Sequence, residues 1–323
     1  MAEWCVQSPK RPFITLGFPD EISTFAFTGP SRLLVASSFY LQLFDTDTME
    51  LIDQASTPSV ISSMSVSPKR EKVACVCSNG SEIILAEQKK LSFLERINLG
   101  RWNESVSEVQ FSPDGRFLAG RTKGKSRYPV IFWDIEKLKP YPMEMSKEVE
   151  LYAMDYSPNG KWFAFSDGWP IDGHIWLKDL ESGNMETVNV PHGSKKLKFT
   201  ADSKKLLARG GNSWYSVLAY ALDNLNAGPL EIIPDAQINP FAVDLAVART
   251  GQLLILCYCR ELFVCDSEGV TIETIKLDYD CGLDKVGVSP FDSMVVCSAH
   301  FHVRCYGRGH RSRDVLFIWR NLF

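Results

Sequence analysis

Apolar residues along this chain fall into short strand-length runs separated by turn-forming residues. They do not recur at the three-to-four spacing of an amphipathic helix. The pattern is clearest in Val109-Gln-Phe-Ser-Pro-Asp-Gly-Arg-Phe-Leu-Ala-Gly120, followed by Val130-Ile-Phe-Trp-Asp-Ile135. Ser112-Pro113-Asp114-Gly115 separates the first two runs, and a longer polar loop separates the second from the third. Proline presets φ, and Asp or Gly tolerates the backbone that reverses a strand, so this punctuation predicts a tight hairpin.

The same grammar recurs. The end of a first strand and its turn appear at Phe27-Thr-Gly-Pro-Ser, Val66-Ser-Pro-Lys-Arg, Phe111-Ser-Pro-Asp-Gly and Tyr156-Ser-Pro-Asn-Gly. They appear again at Phe199-Thr-Ala-Asp-Ser, Val247-Ala-Arg-Thr-Gly and Val288-Ser-Pro-Phe-Asp. Intervals of 39 to 48 residues between these anchors predict seven four-stranded propeller blades. Second strands follow each anchor, as at Leu33-Leu-Val-Ala36 and Leu253-Leu-Ile-Leu256. Third strands are read at Leu41–Phe44, Val130–Trp133, His174–Leu177 and, in the last repeat, His302–Cys305. Fourth strands are less apolar, as expected of strands with a solvent-facing edge. The whole of 1–323 reads as one domain. Two strands compete to complete the last blade (284–319): an N-terminal one near 12–17, and Val315–Trp319, read as that repeat's own fourth strand.

On these anchors, and on the Trp133-Asp134 pair, the chain resembles the WD40-repeat family over roughly residues 20–319. The resemblance implies an all-β, seven-bladed β-propeller that serves as a non-enzymatic interaction scaffold, a subunit of a larger complex. The Gly-His dipeptide that opens many WD repeats is absent before every blade, so most of the family's Asp-His-Ser-Trp tetrad is missing.

Composition narrows the setting. An apolar fraction of 45% supports a sizeable core without disulfide or metal staples. A net charge of −4 weighs against a general nucleic-acid binder. Nine cysteines, two pairs of them spaced two apart in strand-like runs, read as reduced buried thiols of a cytoplasmic or nuclear protein. The start Met1-Ala-Glu-Trp-Cys-Val6 does not read as a signal peptide, and Leu253–Cys259 is too short to span a membrane.

Candidate chemistry is sparse. A Walker loop and a Gly-x-Ser-x-Gly elbow are absent from the sequence, and Gly307-Arg-Gly-His-Arg-Ser312 lacks the third glycine of a dinucleotide fingerprint. His300 and His302 share a strand face, with Cys297 as an imaginable third ligand, but they read as strand polars. No cofactor, metal or catalytic set is expected. The expected partner-binding site lies in second-to-third-strand loops of neighbouring blades. It comprises Arg121, Lys123, Lys125, Arg127 and Tyr128, then Trp169, then Trp214 and Tyr215. Trp, Tyr and Arg are the anchor types of interaction hot spots. A second basic cluster, Arg304, Arg308, Arg311 and Arg313, is a candidate anion site, read here as a third-to-fourth-strand loop on the opposite face. Basic loops of this kind keep open an alternative, a propeller binding phosphoinositide or nucleic acid. Leu207-Ala-Arg209-Gly-Gly carries one arginine where phosphoinositide-binding propellers have a paired Phe-Arg-Arg-Gly. A further alternative, a propeller hydrolase or lactonase, needs converging carboxylates or a central metal.

Overall fold

A computed structural model describes residues 14–18, 20–69, 71–78, 80, 82–87, 91, 93–98, 105–167, 173–190, 193–209, 217–232, 242–257, 261–276, 281–289, 294–303 and 311–320. Backbone alone is described at 14, 93–95, 98, 281–282, 301–303 and 311–313.

After β1 (Ile14–Phe18), the chain lays down one antiparallel sheet after another. Sheet 1 is β2 (Ile22–Gly29), β3 (Arg32–Ser37), β4 (Tyr40–Asp45) and β5 (Leu51–Ser56). Sheet 2 is β6 (Ile61–Val66), β7 (Lys72–Cys77), β8 (Glu82–Glu87) and β9 (Phe93–Asn98). Sheet 3 is β10 (Val106–Phe111), β11 (Phe117–Thr122), β12 (Val130–Asp134) and β13 (Lys139–Met143). Sheet 4 is β14 (Ala153–Tyr156), β15 (Trp162–Ser166), β16 (Gly173–Asp179) and β17 (Met185–Val190). Sheet 5 is β18 (Lys196–Phe199), β19 (Lys205–Arg209), β20 (Val217–Ala221) and β21 (Leu230–Ile232). Sheet 6 is β22 (Ala242–Val247), β23 (Leu253–Cys257), β24 (Glu261–Cys265) and β25 (Thr271–Lys276). Sheet 7 is β26 (Cys281–Val288), β27 (Met294–Val303) and β28 (Arg311–Arg320), with β1 as its outer strand. The seven sheets are the blades of a β-propeller, and the only helical element among the described residues is a 3-10 turn at Leu225–Ala227. Two compact units divide the chain, Ile22–Phe199 and a second of Met1–Glu21 with Thr200–Phe323.

The last blade corrects the sequence reading. β27 does not end at its small residues Ser298 and Ala299 but runs on to Val303, so His302 closes a second strand. Val315–Trp319 belongs to the third strand, pairing Val295 with Trp319 and Ala299 with Val315. β1 then lies antiparallel on β28, Thr15 opposite Phe317. Small residues look like a strand end when the next positions are polar. Here His300 continues the alternation because its ring meets the buried Asp314 across the ladder, Nδ1 to Oδ1 at 2.6 Å.

Packing follows the pleat. Second strands present near-complete burial, as in β3, β7 and β23, because both faces meet neighbouring blades. Outer strands such as β5 and β17 are largely exposed. The core is a chain of clusters that each join two consecutive sheets. Leu85 and Ile97 of sheet 2 pack with Phe111 and Trp133 of sheet 3. Leu254 and Val264 of sheet 6 pack with Val295 and Trp319 of sheet 7. At Gly120 a side chain is barred: a Cβ there would stand 2.5 Å from the Trp133 ring, which lies over the bare backbone.

The anchor turns are built by their own hydroxyls. Ser112 Oγ accepts the N–H of Phe117 at 2.9 Å, Ser157 Oγ that of Trp162 at 2.8 Å, and Thr200 Oγ1 that of Lys205 at 3.0 Å. Each hydroxyl also donates to the turn side chain two residues on: Asp114, Asn159 or Asp202. The Ser-Pro-Asp-Gly signature is therefore a hydrogen-bonded device for reversing the strand.

Candidate functional site

The loop between β11 and β12 is short of freedom. Thr122 and Lys123 donate backbone N–H bonds to Pro129 and Ser105. Ser126 is buried and exchanges backbone hydrogen bonds with Val149 at 3.0 Å in both directions. The Ser126 hydroxyl oxygen accepts the Tyr128 N–H at 2.9 Å, and Met145 donates its N–H to the Arg127 carbonyl. The loop is thus laced to the segment that leads into blade 4.

Its cations divide by environment. Arg121 is mostly buried, with a side chain 19% exposed. Its Nε sits 3.1 Å from Glu108 Oε2, and its Nη1 donates to the Leu151 carbonyl at 2.6 Å. Arg127 pairs with Glu144 at 3.1 Å, both side chains more than half exposed. Lys123 Nζ donates to the Ser78 carbonyl of blade 2 at 2.9 Å, and Lys125 is exposed. Exposed pairs such as Arg127–Glu144 are worth little, about 0–1 kcal/mol, and are readily exchanged for a partner's carboxylate. Tyr128 is half-buried.

Trp169, Trp214 and Tyr215 lie outside the described residues, as do Arg304 and Arg308. Arg311 and Arg313 stand on β28, opposite Val303 and Phe301, with their side chains outside the description. Because β27 and β28 are the second and third strands of their blade, this basic cluster belongs to a second-to-third-strand connection. The sequence expectation of a third-to-fourth-strand loop is thereby corrected. The cause is the unrecognised length of β27.

Two features escaped the sequence. The first is a repeated latch. Arg121, Ser166 and Arg209 each stand ten residues beyond their anchors Phe111, Tyr156 and Phe199. Each side chain donates to a carbonyl five residues before the next anchor: Leu151, Ser194 at 2.8 Å and Ala242 at 3.2 Å. Arg209 also reaches the Val243 carbonyl, and burial lowers its pKa. Aligning the repeats on their anchors would have exposed this position, though an Arg and a Ser do not look alike. The second is Asp155 on β14, 4% exposed. Its carboxylate accepts Gln110 Nε2 of blade 3 at 2.7 Å, Lys198 Nζ at 2.8 Å and the Phe199 N–H at 2.8 Å. Related links run from the Val109 and Phe111 N–H groups to Ser63 and Ser65, and from the Val286 N–H to Asp244. First strands are thus stitched blade to blade by side chains.

The two histidines whose side chains are described each face a carboxylate, His174 Nδ1 with Asp167 at 3.1 Å and His300 Nδ1 with Asp314. Cys297 lies on the same strand as His300, three residues away and therefore on the opposite face, and it is fully buried. Among the described residues no group of three His, Cys, Asp or Glu side chains is placed to hold a metal ion.

Fold and turn chemistry together define a seven-bladed β-propeller of four-stranded antiparallel blades. No protein-family model matches the chain. Among solved structures it is similar to the β-propeller domain of Cps50 (Swd1) from Myceliophteria thermophila, with TM-score 0.72 and 13% identity over 95% of this chain and 99% of that one. It is also similar to the hydrazine synthase of Kuenenia stuttgartiensis, with TM-score 0.70 and 12% identity over 91% and 94% of the two chains. The Dos1 propeller matches with TM-score 0.65 and 12% identity over 92% of this chain and 78% of that one. At these identities the likeness concerns the fold. No helix among the described residues is long and apolar enough to cross a membrane.

Proposed function

We propose that this chain works as one propeller domain, a non-enzymatic scaffold that binds a protein or peptide partner within a larger assembly in the cytoplasm or nucleus. The observation that carries the reading is the loop 121–128. Its backbone is pinned by Ser126, Val149, Met145 and Ser105, yet it holds Lys123, Lys125 and Arg127 at the surface. A pre-ordered loop loses little conformational entropy on binding, which favours recognition. Its charge suits an acidic partner segment. Arg121 serves the loop from below as a latch. The phosphoinositide reading draws no support from Arg209, whose guanidinium is spent on backbone carbonyls.

The test is affinity purification with quantitative mass spectrometry, comparing the wild-type chain with a Lys125→Ala/Arg127→Ala double variant. Both side chains are exposed, so the variant should fold normally. We expect one or more partners to drop at least several-fold. Unchanged recovery of every partner removes the loop from the interface.

A further inference from the structure

Among the described residues, the three most exposed large apolar side chains are Val270 (63%), Ile272 (62%) and Leu230 (56%). Leu230 lies on β21 and Ile272 on β25, the outermost strands of sheets 5 and 6. Val270 ends the turn that leads into β25. That turn rests against β21, since a Cβ on Gly269 would stand 2.7 Å from Ile232 Cγ2. Leu230 and Val270 therefore flank one contact between the two blades. Single exposed aliphatics are ordinary, but two on outer strands with a third at the turn where the blades touch form a strip of the kind that marks an interaction surface.

The surroundings say what fits. Along 228–232 and 266–276 the sequence carries Glu231, Asp266, Glu268 and Glu273 against the single cation Lys276, and Asp266 also caps the turn by accepting the N–H groups of Glu268 and Val270. Lys276 is already paired with Glu261 at 2.9 Å. Glu268, 66% exposed and paired with Lys205 Nζ at 2.8 Å, stands where the strip meets a cleft of about 390 Å³ that Thr200, Asp202, Arg249 and Ser267 also line; an exposed pair of this kind is worth little. Among the described residues both outer strands end their sheets: β21 pairs with Val217–Ala219 of β20, and β25 pairs with β24 alone. Along β25 the exposed positions alternate as Ile272, Thr274 and Lys276, the pattern that a strand-like ligand reads.

We propose that this rim of blades 5 and 6 is a docking surface for an extended segment of a partner protein in which aliphatic side chains alternate with Lys and Arg. The aliphatics cover Leu230, Val270 and Ile272, and the cations meet the carboxylate fringe. This surface is separate from the loop of blade 3 and does not depend on it.

The probe is a fluorescein-labelled peptide in which Val and Ile alternate with Lys and Arg, titrated against the full chain by anisotropy. Controls replace Lys and Arg by Glu, or Val and Ile by Ser. Saturable binding of the first peptide is expected, at least tenfold weaker for each control. Ile272→Asp and Glu231→Lys, both at exposed positions, should each weaken binding at least fivefold with Tm unchanged. High salt should weaken it too. Equal binding of the glutamate peptide, no saturable binding, or indifference to Ile272→Asp overturns the proposal. So does light scattering that shows a dimer of this chain abolished by Ile272→Asp, because the strip is then covered by a second copy. Loss of the blade 3 partner with peptide binding intact would touch only the reading above.

Discussion

Asp155 shows how much one side chain can hold. Three donors from two strands, β10 and β18, converge on a carboxylate that is almost fully removed from water. Replacing it with alanine strands the buried Phe199 N–H and leaves Lys198 and Gln110 without their acceptor. We expect Asp155→Ala to cost about 3 kcal/mol in chemical denaturation, the range seen when one partner of a buried network is removed. A loss below about 1 kcal/mol would mean that water replaces the carboxylate freely. Within Ala153-Met-Asp-Tyr156 this aspartate looks like any polar residue on a strand. Its role depends on Gln110 and Lys198, each more than forty residues away. Arg121 teaches the converse. Its residue type marked it as a binding anchor, while its ladder position commits it first to Leu151.

At the scale of elements, the third strands of sheets 1, 3 and 4 close on an aspartate that caps the following turn. Asp45 accepts the N–H groups of Asp47 and Thr48, Asp134 those of Glu136 and Lys137, and Asp179 those of Glu181 and Ser182. The aspartate of Trp133-Asp134, the pair that carried the family resemblance, is therefore a turn cap. Backbone N–H bonds, Thr48 first for Asp45 and Ser182 first for Asp179, hold these carboxyls below the ordinary 3.8. The Thr200 hydroxyl does the same for Asp202. A carboxyl depressed in the folded state contributes its stability fully above the unfolded value and loses it as pH falls through the folded one. Stability should therefore decline as pH drops below about 4, and Asp45→Asn with Asp179→Asn should flatten that decline. Urea midpoints measured from pH 6 to about 2 decide it, and an unchanged slope would count against the caps. Anchor turns and first-to-second hairpins were legible because their chemistry is local. The β27–β28 hairpin was not, since its length depends on cross-strand partners such as Asp314.

Across the whole molecule, burial decides the chemistry of the thiols. Cys75, Cys77, Cys257, Cys265 and Cys297 are buried thiols. Burial pushes Cys75 up to about 12 and raises Cys297 as well. Brief alkylation of native protein at pH 8, mapped by peptide mass spectrometry, should leave Cys75 and Cys297 unmodified, with full labelling in guanidinium. Native labelling at either site would reveal local opening of the blade that carries it. By itself, the sequence determined the fold class, the seven repeats and their turns. Each of these rests on alternation, strand length and turn residues within a few positions, which a linear reading can see. The tertiary structure alone decided that β1 is the outer strand of the last blade, which side chains latch one blade to the next, and which cations stay at the surface. Those outcomes depend on contacts between residues tens of positions apart, where packing and competition for hydrogen-bond acceptors choose among side chains of equal local promise.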